Sequence, residues 1–88
     1  MNRHRVKRNE FRLGSGAMVS IEYWVDSTAV HVAAFDVDGH QASLAVYHAS
    51  VDTADNFHPQ IQGALIDSLA NALEYGLTRN PEFHVRKR

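Results

Sequence analysis

The sequence predicts an α+β domain in which three antiparallel strands form a meander packed against one long C-terminal helix. Three observations carry that expectation: alternating apolar runs in the first half, turn signals between them, and an apolar run of helical period bounded by Pro59 and Gly76. Strand residues alternate between faces with a period of two, whereas helix residues recur on one face every three or four positions.

The first strand is "AMVSIEYWV", in which Val19, Ile21, Tyr23 and Val25 alternate with Met18, Ser20, Glu22 and Trp24. It is expected at about 17–25, with Asp26-Ser27 as the turn and Val25 opposite Thr28. Tyr23 then faces Val30, Ile21 faces Val32 and Val19 faces Ala34. The second strand, about 28–36, runs into Asp36-Val37-Asp38-Gly39. Asp-Gly between two alternating runs signals a hairpin, because Gly tolerates positive φ and Asp can satisfy turn backbone. A three-residue loop with Gly39 in the left-handed conformation pairs Asp36 with His40, Ala34 with Ala42, Val32 with Leu44 and Val30 with Val46. That register leaves one face wholly apolar; a two-residue loop would place His31, His40 and His48 on it. The third strand is therefore expected at about 40–50.

Beyond the connection at 51–57, Pro59 suits a helix start and Gly76 its end, with Asn56 or His58 as the cap. The helix is expected over 59–75. Ile61, Leu65, Leu69 and Ala72 form one stripe, with Ile66, Leu73 and Leu77 beside it. The joint arc of about 160° exceeds the stripe of about 100° or more that a surface helix needs. Its cover is expected from "PEFHV", residues 81–85, folding back as a short fourth strand or cap, or else from a partner subunit.

The segment "AAFDVDG" resembles the opening motif of the haloacid dehalogenase superfamily, an apolar strand running into Asp-x-Asp-Gly-Thr. The resemblance implies Asp36 as a phosphoryl-accepting nucleophile and Asp38 as an acid/base, with a Mg²⁺ site, a Ser/Thr, a Lys and further acidic residues downstream. The chain does not supply them. His40 stands where the motif has Thr, and the two lysines are Lys7 and Lys87. About 49 residues follow Gly39, whereas one strand–helix–strand unit takes about 30 or more. A Ca²⁺ loop is excluded by the break after Gly39 and the lack of a bidentate Glu in place. Asp36 and Asp38 are thus expected to be turn residues, and the chain is read as non-enzymatic, with no catalytic, cofactor-binding or metal-binding residues.

Charge is segregated. Arg3, Arg5, Lys7, Arg8 and Arg12 lie in the first 12 residues, and Arg79, Arg86, Lys87 and Arg88 in the last ten; between Leu13 and Thr78 stand eight carboxylates and no Lys or Arg. Residues 1–16 are expected to be a flexible basic tail, 17–78 the domain, and 79–88 a basic segment. Tails of this kind bind nucleic acid by neutralising phosphates. Arg3, Arg5, Lys7, Arg8, Arg12, Arg86, Lys87 and Arg88 are the candidate contacts for that alternative function, which the acidic body opposes.

The strand face opposite the apolar one is expected to carry Met18, Trp24, His31, Phe35 and Tyr47, and these are the candidate interface residues for a protein partner or a second copy. Glu22 is expected opposite His31, with His31 and His48 on opposite faces. Six histidines do not make a zinc site without three converging ligands. The chain has no cysteine and no signal-like or membrane-spanning apolar run. It is expected to be cytoplasmic, with no membrane association. The leading expectation is a small, self-associating interaction or regulatory module.

Overall fold

The computed structural model describes residues 3–6, 10–26, 28–50 and 59–86. In chain order the elements are β1 (His4–Arg5), β2 (Phe11–Arg12), β3 (Met18–Val25), β4 (Ala29–Asp36), β5 (Tyr47–Ser50), α1 (Pro59–Arg79) and α2 (Pro81–His84). The strands form one antiparallel sheet of order β1-β3-β4-β5, in which β2 also pairs with β3. The fold is α+β, with the long helix across one face of the sheet. No helix among the described residues is long and apolar enough to cross a membrane.

The meander is present, but it is extended at its N-terminal side. Residues 4–5 and 11–12, expected in a flexible tail, pair with β3 at Tyr23 and Glu22 and at Val19 and Met18. They occupy the backbone groups along an edge that would otherwise lie open. A tight turn leads from β2 into β3: the N–H of Gly16 donates to the Leu13 carbonyl at 2.9 Å, with Gly16 at φ 95°. Leu13 itself is buried in the core.

The β3–β4 hairpin differs from the expected register by two residues. Val25 faces Val30, Tyr23 faces Val32, Ile21 faces Ala34 and Val19 faces Asp36. The cause is Asp26, which pairs rather than turning: its N–H donates to the Ala29 carbonyl at 3.0 Å, and its Oδ1 accepts from the N–H groups of Thr28 and Ala29 at 2.8 and 2.9 Å. An even shift leaves every side chain on its expected face.

The β4–β5 connection begins as expected. Gly39 has φ 84°, the N–H of Asp36 donates to the His40 carbonyl, and the N–H of Ala42 donates to the Ala34 carbonyl at 2.8 Å. The chain then bulges at Ser43, which is fully buried. The N–H of Ala34 donates to Ser43 Oγ at 3.1 Å, and the hydroxyl donates to the Ala45 carbonyl at 2.9 Å. Past the bulge Val32 faces Tyr47, not Leu44, and Val30 faces Ala49, not Val46. This shift of three is odd, so it reverses the faces of β5. Leu44, expected in the core stripe, is 61% exposed.

Helix α1 runs four residues beyond its expected end. Gly76 is a packing position inside it, where a Cβ would stand 2.5 Å from the His84 ring. The helix stops before Pro81, since a proline disfavours helical backbone in the residue preceding it. Its buried stripe is Ile66, Ala70, Leu73 and Leu77, with Val19, Ile21, Val32 and Ala34 from the sheet below. The expected stripe through Ile61, Leu65, Leu69 and Ala72 lies on the flank: Leu65 and Leu69 are half-buried, while Ile61 and Ala72 are exposed. The expected fourth strand at 81–85 is instead α2 followed by a single bridge, Val85 to Ser43. The expected caps Asn56 and His58, and the connection at 51–57, lie outside the described residues.

Candidate functional site

With α1 on one face of the sheet, the other face presents Ser20, Glu22 and Trp24 from β3, His31, Ala33 and Phe35 from β4, and His48 from β5. Trp24 lies directly opposite His31, and His31 opposite His48. The indole stacks on the His31 imidazole, with ring centroids 5.3 Å apart at 15°, and meets Phe35 edge-on at 6.1 Å and 62°. His48 extends the row, 5.9 Å from His31. Ala33, between His31 and Phe35 on β4, is fully buried; its methyl leaves room for the indole to span the two rings. Offset and edge-on pairs of this kind add about 0.5–1.5 kcal/mol beyond their buried area.

Each end of the row is anchored by charge. At one end, Asp26 Oδ2 lies 2.7 Å from His31 Nε2. The Thr28 backbone N–H, then the His31 ring, the Thr28 hydroxyl and the Ala29 N–H hold the Asp26 carboxyl well below the usual carboxylate range. At the other end, the Arg3 guanidinium sits 3.8 Å over the Phe35 ring, and its Nε lies 3.4 Å from Glu22 Oε1. Ser20 Oγ donates to Glu22 Oε2 at 3.1 Å and so fixes the carboxylate. A cavity of about 200 Å³ adjoins this end, lined by Arg5, Met18, Ser20, Glu22, Phe35 and Gly39 among others.

The structure brings together Trp24, His31 and Phe35 of the expected interface and places half-buried Met18 at the far end of the same face, opposite Arg12. Tyr47 is corrected: the Ser43 bulge turns it toward the helix, where it packs on the core, and His48 takes its place. The expected pairing of Glu22 with His31 is also overturned. Glu22 faces Ala33 and His31 faces Trp24. His31 and His48, expected on opposite faces, are direct neighbours. No local sequence signal marks His48 for this face, because its orientation depends on a bulge made by a buried hydroxyl. Arg3 is expected as a phosphate contact, and its cation–π seat depends on a strand two residues long.

Asp36, Asp38 and His40 place a ligand atom each within 4.8 Å of one another. Asp36 Oδ1 accepts from the N–H groups of Asp38 and His40 at 2.9 and 3.0 Å, which is the side-chain geometry of a turn. A broad cavity of about 860 Å³ opens beside it, between Leu13, Val19 and Val85. The candidate nucleic-acid contacts divide. Arg3 is held by Glu22 and Phe35, Arg5 by Glu10 at 3.0 Å, and Arg12 donates to the Gly16 carbonyl at 3.0 Å. Arg86 is exposed, and Lys7, Arg8, Lys87 and Arg88 lie outside the described residues. No family model matches the chain, and no curated protein or solved structure matches it significantly.

Proposed function

We propose that the chain is a small non-enzymatic interaction module that self-associates through the open face of its sheet. The observation that carries this reading is the half-buried Trp24–His31 stack, fixed edge-on against the buried Phe35 ring on the face opposite α1. Tryptophan is the residue type that most often dominates interface energy when it is desolvated. Here the neighbouring rings hold it before any partner arrives, so less side-chain entropy is lost on docking. A domain of this size also buries a smaller share of its surface than a larger one, which favours covering such a face with a second copy. The engagement of Arg3, Arg5 and Arg12 within the fold supports this reading over nucleic-acid binding through the basic ends. The cysteine-free composition favours a cytoplasmic setting.

Sedimentation velocity over a wide concentration range tests the reading. The parent chain is expected to show a concentration-dependent mass. Trp24→Ala is expected to weaken association by about 2 kcal/mol or more, about thirtyfold, with its far-UV circular dichroism unchanged. A parent chain that stays monomeric throughout overturns it.

A further inference from the structure

The seat of Arg3 has three fitted parts. The flat face of Phe35 takes the guanidinium at 3.8 Å, the Glu22 carboxylate lies 3.4 Å from Nε, and Ser20 Oγ holds that carboxylate in place. Gly39 completes the wall: even a Cβ there would stand 3.8 Å from Arg3 Nη2. A planar guanidinium can stack on a ring while an edge N–H meets a carboxylate, which the compact lysine ammonium cannot do.

The residues that deliver Arg3 are short and extended. β1 pairs with β3 at two positions, and the Val6 N–H donates to the Ile21 carbonyl at 3.0 Å. Alternation sends Arg3 to the open face and His4 and Val6 to the helix side, where His4 meets Tyr23 at 5.4 Å and half-buried Val6 joins the core. The pattern presented to the sheet is therefore Arg, then an apolar residue three positions later, in extended backbone. An extended segment adding to a sheet edge gains affinity from backbone bonds and specificity from alternate side chains.

We propose that Phe35, Glu22 and Ser20 form an arginine-recognition site that the chain fills in cis with Arg3. In trans it takes an extended basic segment of a partner protein with the same Arg-x-x-apolar spacing, and residues 3–6 are displaced. This rests on the open face being the interaction surface. The charge pattern favours such a partner, because the segment from Leu13 to Thr78 has eight carboxylates and no Lys or Arg. Arg3 is a built-in competitor that keeps affinity low until the N-terminal segment is released.

The probe is a synthetic peptide of sequence Arg-His-Arg-Val with blocked ends, titrated into the full chain. The protein has one tryptophan, and it lies edge-on to Phe35, so Trp24 fluorescence reports occupancy. Arg3→Ala empties the site and is expected to bind the peptide at least tenfold more tightly than the parent chain. A peptide with Lys in place of its first Arg is expected to lose that gain. Equal affinity for both peptides, or no binding by a folded Arg3→Ala, overturns the proposal. If Arg3→Ala does not fold, Arg3→Lys, whose compact ammonium cannot stack in the seat, takes its place, and it must bind the Arg peptide at least fivefold more tightly than the Lys peptide or the proposal fails. The two readings fail separately: peptide binding by a chain that stays monomeric overturns self-association alone, and a Trp24-dependent dimer that ignores the peptide overturns the arginine site alone.

Discussion

Ser43→Ala tests the feature that decides which residues β5 contributes to the open face. The Ser43 hydroxyl is fully buried and does the work of two ladder partners, accepting from the Ala34 N–H at 3.1 Å and donating to the Ala45 carbonyl at 2.9 Å. Alanine removes both bonds while nearly preserving volume. Ala45 is exposed and its carbonyl can turn to water, but Ala34 is fully buried, and its N–H is left without an acceptor. Leaving one such donor unsatisfied costs about 1–3 kcal/mol. For a domain of 60–100 residues each kcal/mol lowers Tm by about 4–8 °C, so a fall of about 5–20 °C is expected. Thermal unfolding followed by circular dichroism measures it, with Ser50→Ala as the control, since exposed Ser50 at the end of β5 is expected to change stability by less than about 0.5 kcal/mol. Trp24 emission is expected to shift as well, because loosening the bulge moves His48 relative to the His31–Trp24 stack. Equal melting temperatures for Ser43→Ala and the parent would refute the assignment of the bulge to this hydroxyl.

Gly76→Ala is expected to destabilise although alanine favours helix by about 1 kcal/mol in isolation, because the new methyl meets the His84 ring; urea unfolding should show the loss, and His84→Ala should restore it. Asp26→Ala is expected to destabilise most at neutral pH. Its folded-state carboxyl titrates below the unfolded value of about 3.9, so its contribution is complete above about pH 4 and is lost as pH falls through the depressed value. The stability gap between variant and parent should therefore narrow from pH 7 to pH 3, and an unchanged gap counts against the Asp26 turn.

The faces of β3 and β4 were legible from alternation alone, even though the hairpin register was not. Val19, Ile21 and Tyr23 face the helix with Val30, Val32 and Ala34 in either register, since the shift is of two residues. Asp26-Ser27 has the composition of a loop, but the Asp26 side chain closes the hairpin by accepting from the Thr28 and Ala29 N–H groups. Alternation failed at β5 because a three-residue offset at Ser43 reverses it, moving Tyr47 in and His48 out. Gly76 carries the usual mark of a helix end, but its value here is the missing Cβ that lets α2 come close, a contact between segments that no local signal records. β1 and β2 are each two residues long, too short for any period to show. The open face was therefore half legible: Trp24, His31 and Phe35 follow from alternation along two strands, while Arg3 and His48 arrive through long-range geometry.

The contacts that hold residues 3–6 decide whether the basic N-terminal segment acts as a fixed part of the sheet or as a replaceable one. A cation over an aromatic ring contributes about 0.5–2 kcal/mol, and an ion pair with both side chains partly in water contributes up to about 1 kcal/mol; Arg3 and Glu22 keep 31% and 17% exposure. Fixing the backbone of each residue costs about 1–2 kcal/mol, so the Arg3 contacts offset the ordering of about one or two residues. The short β1 pairing and half-buried Val6 must offset the rest. The segment is thus held by a margin of only about 1–2 kcal/mol, enough for a tenfold gain on emptying the site, at the low end of the range over which parts of a fold open locally. Such a margin suits a cis occupant: it is tight enough to cover Phe35 and loose enough to yield to a segment with the same arginine. It also weighs against Arg3 itself as a phosphate contact. An arginine whose guanidinium is divided between a ring and a carboxylate inside its own sheet has to leave both before it can meet a phosphate.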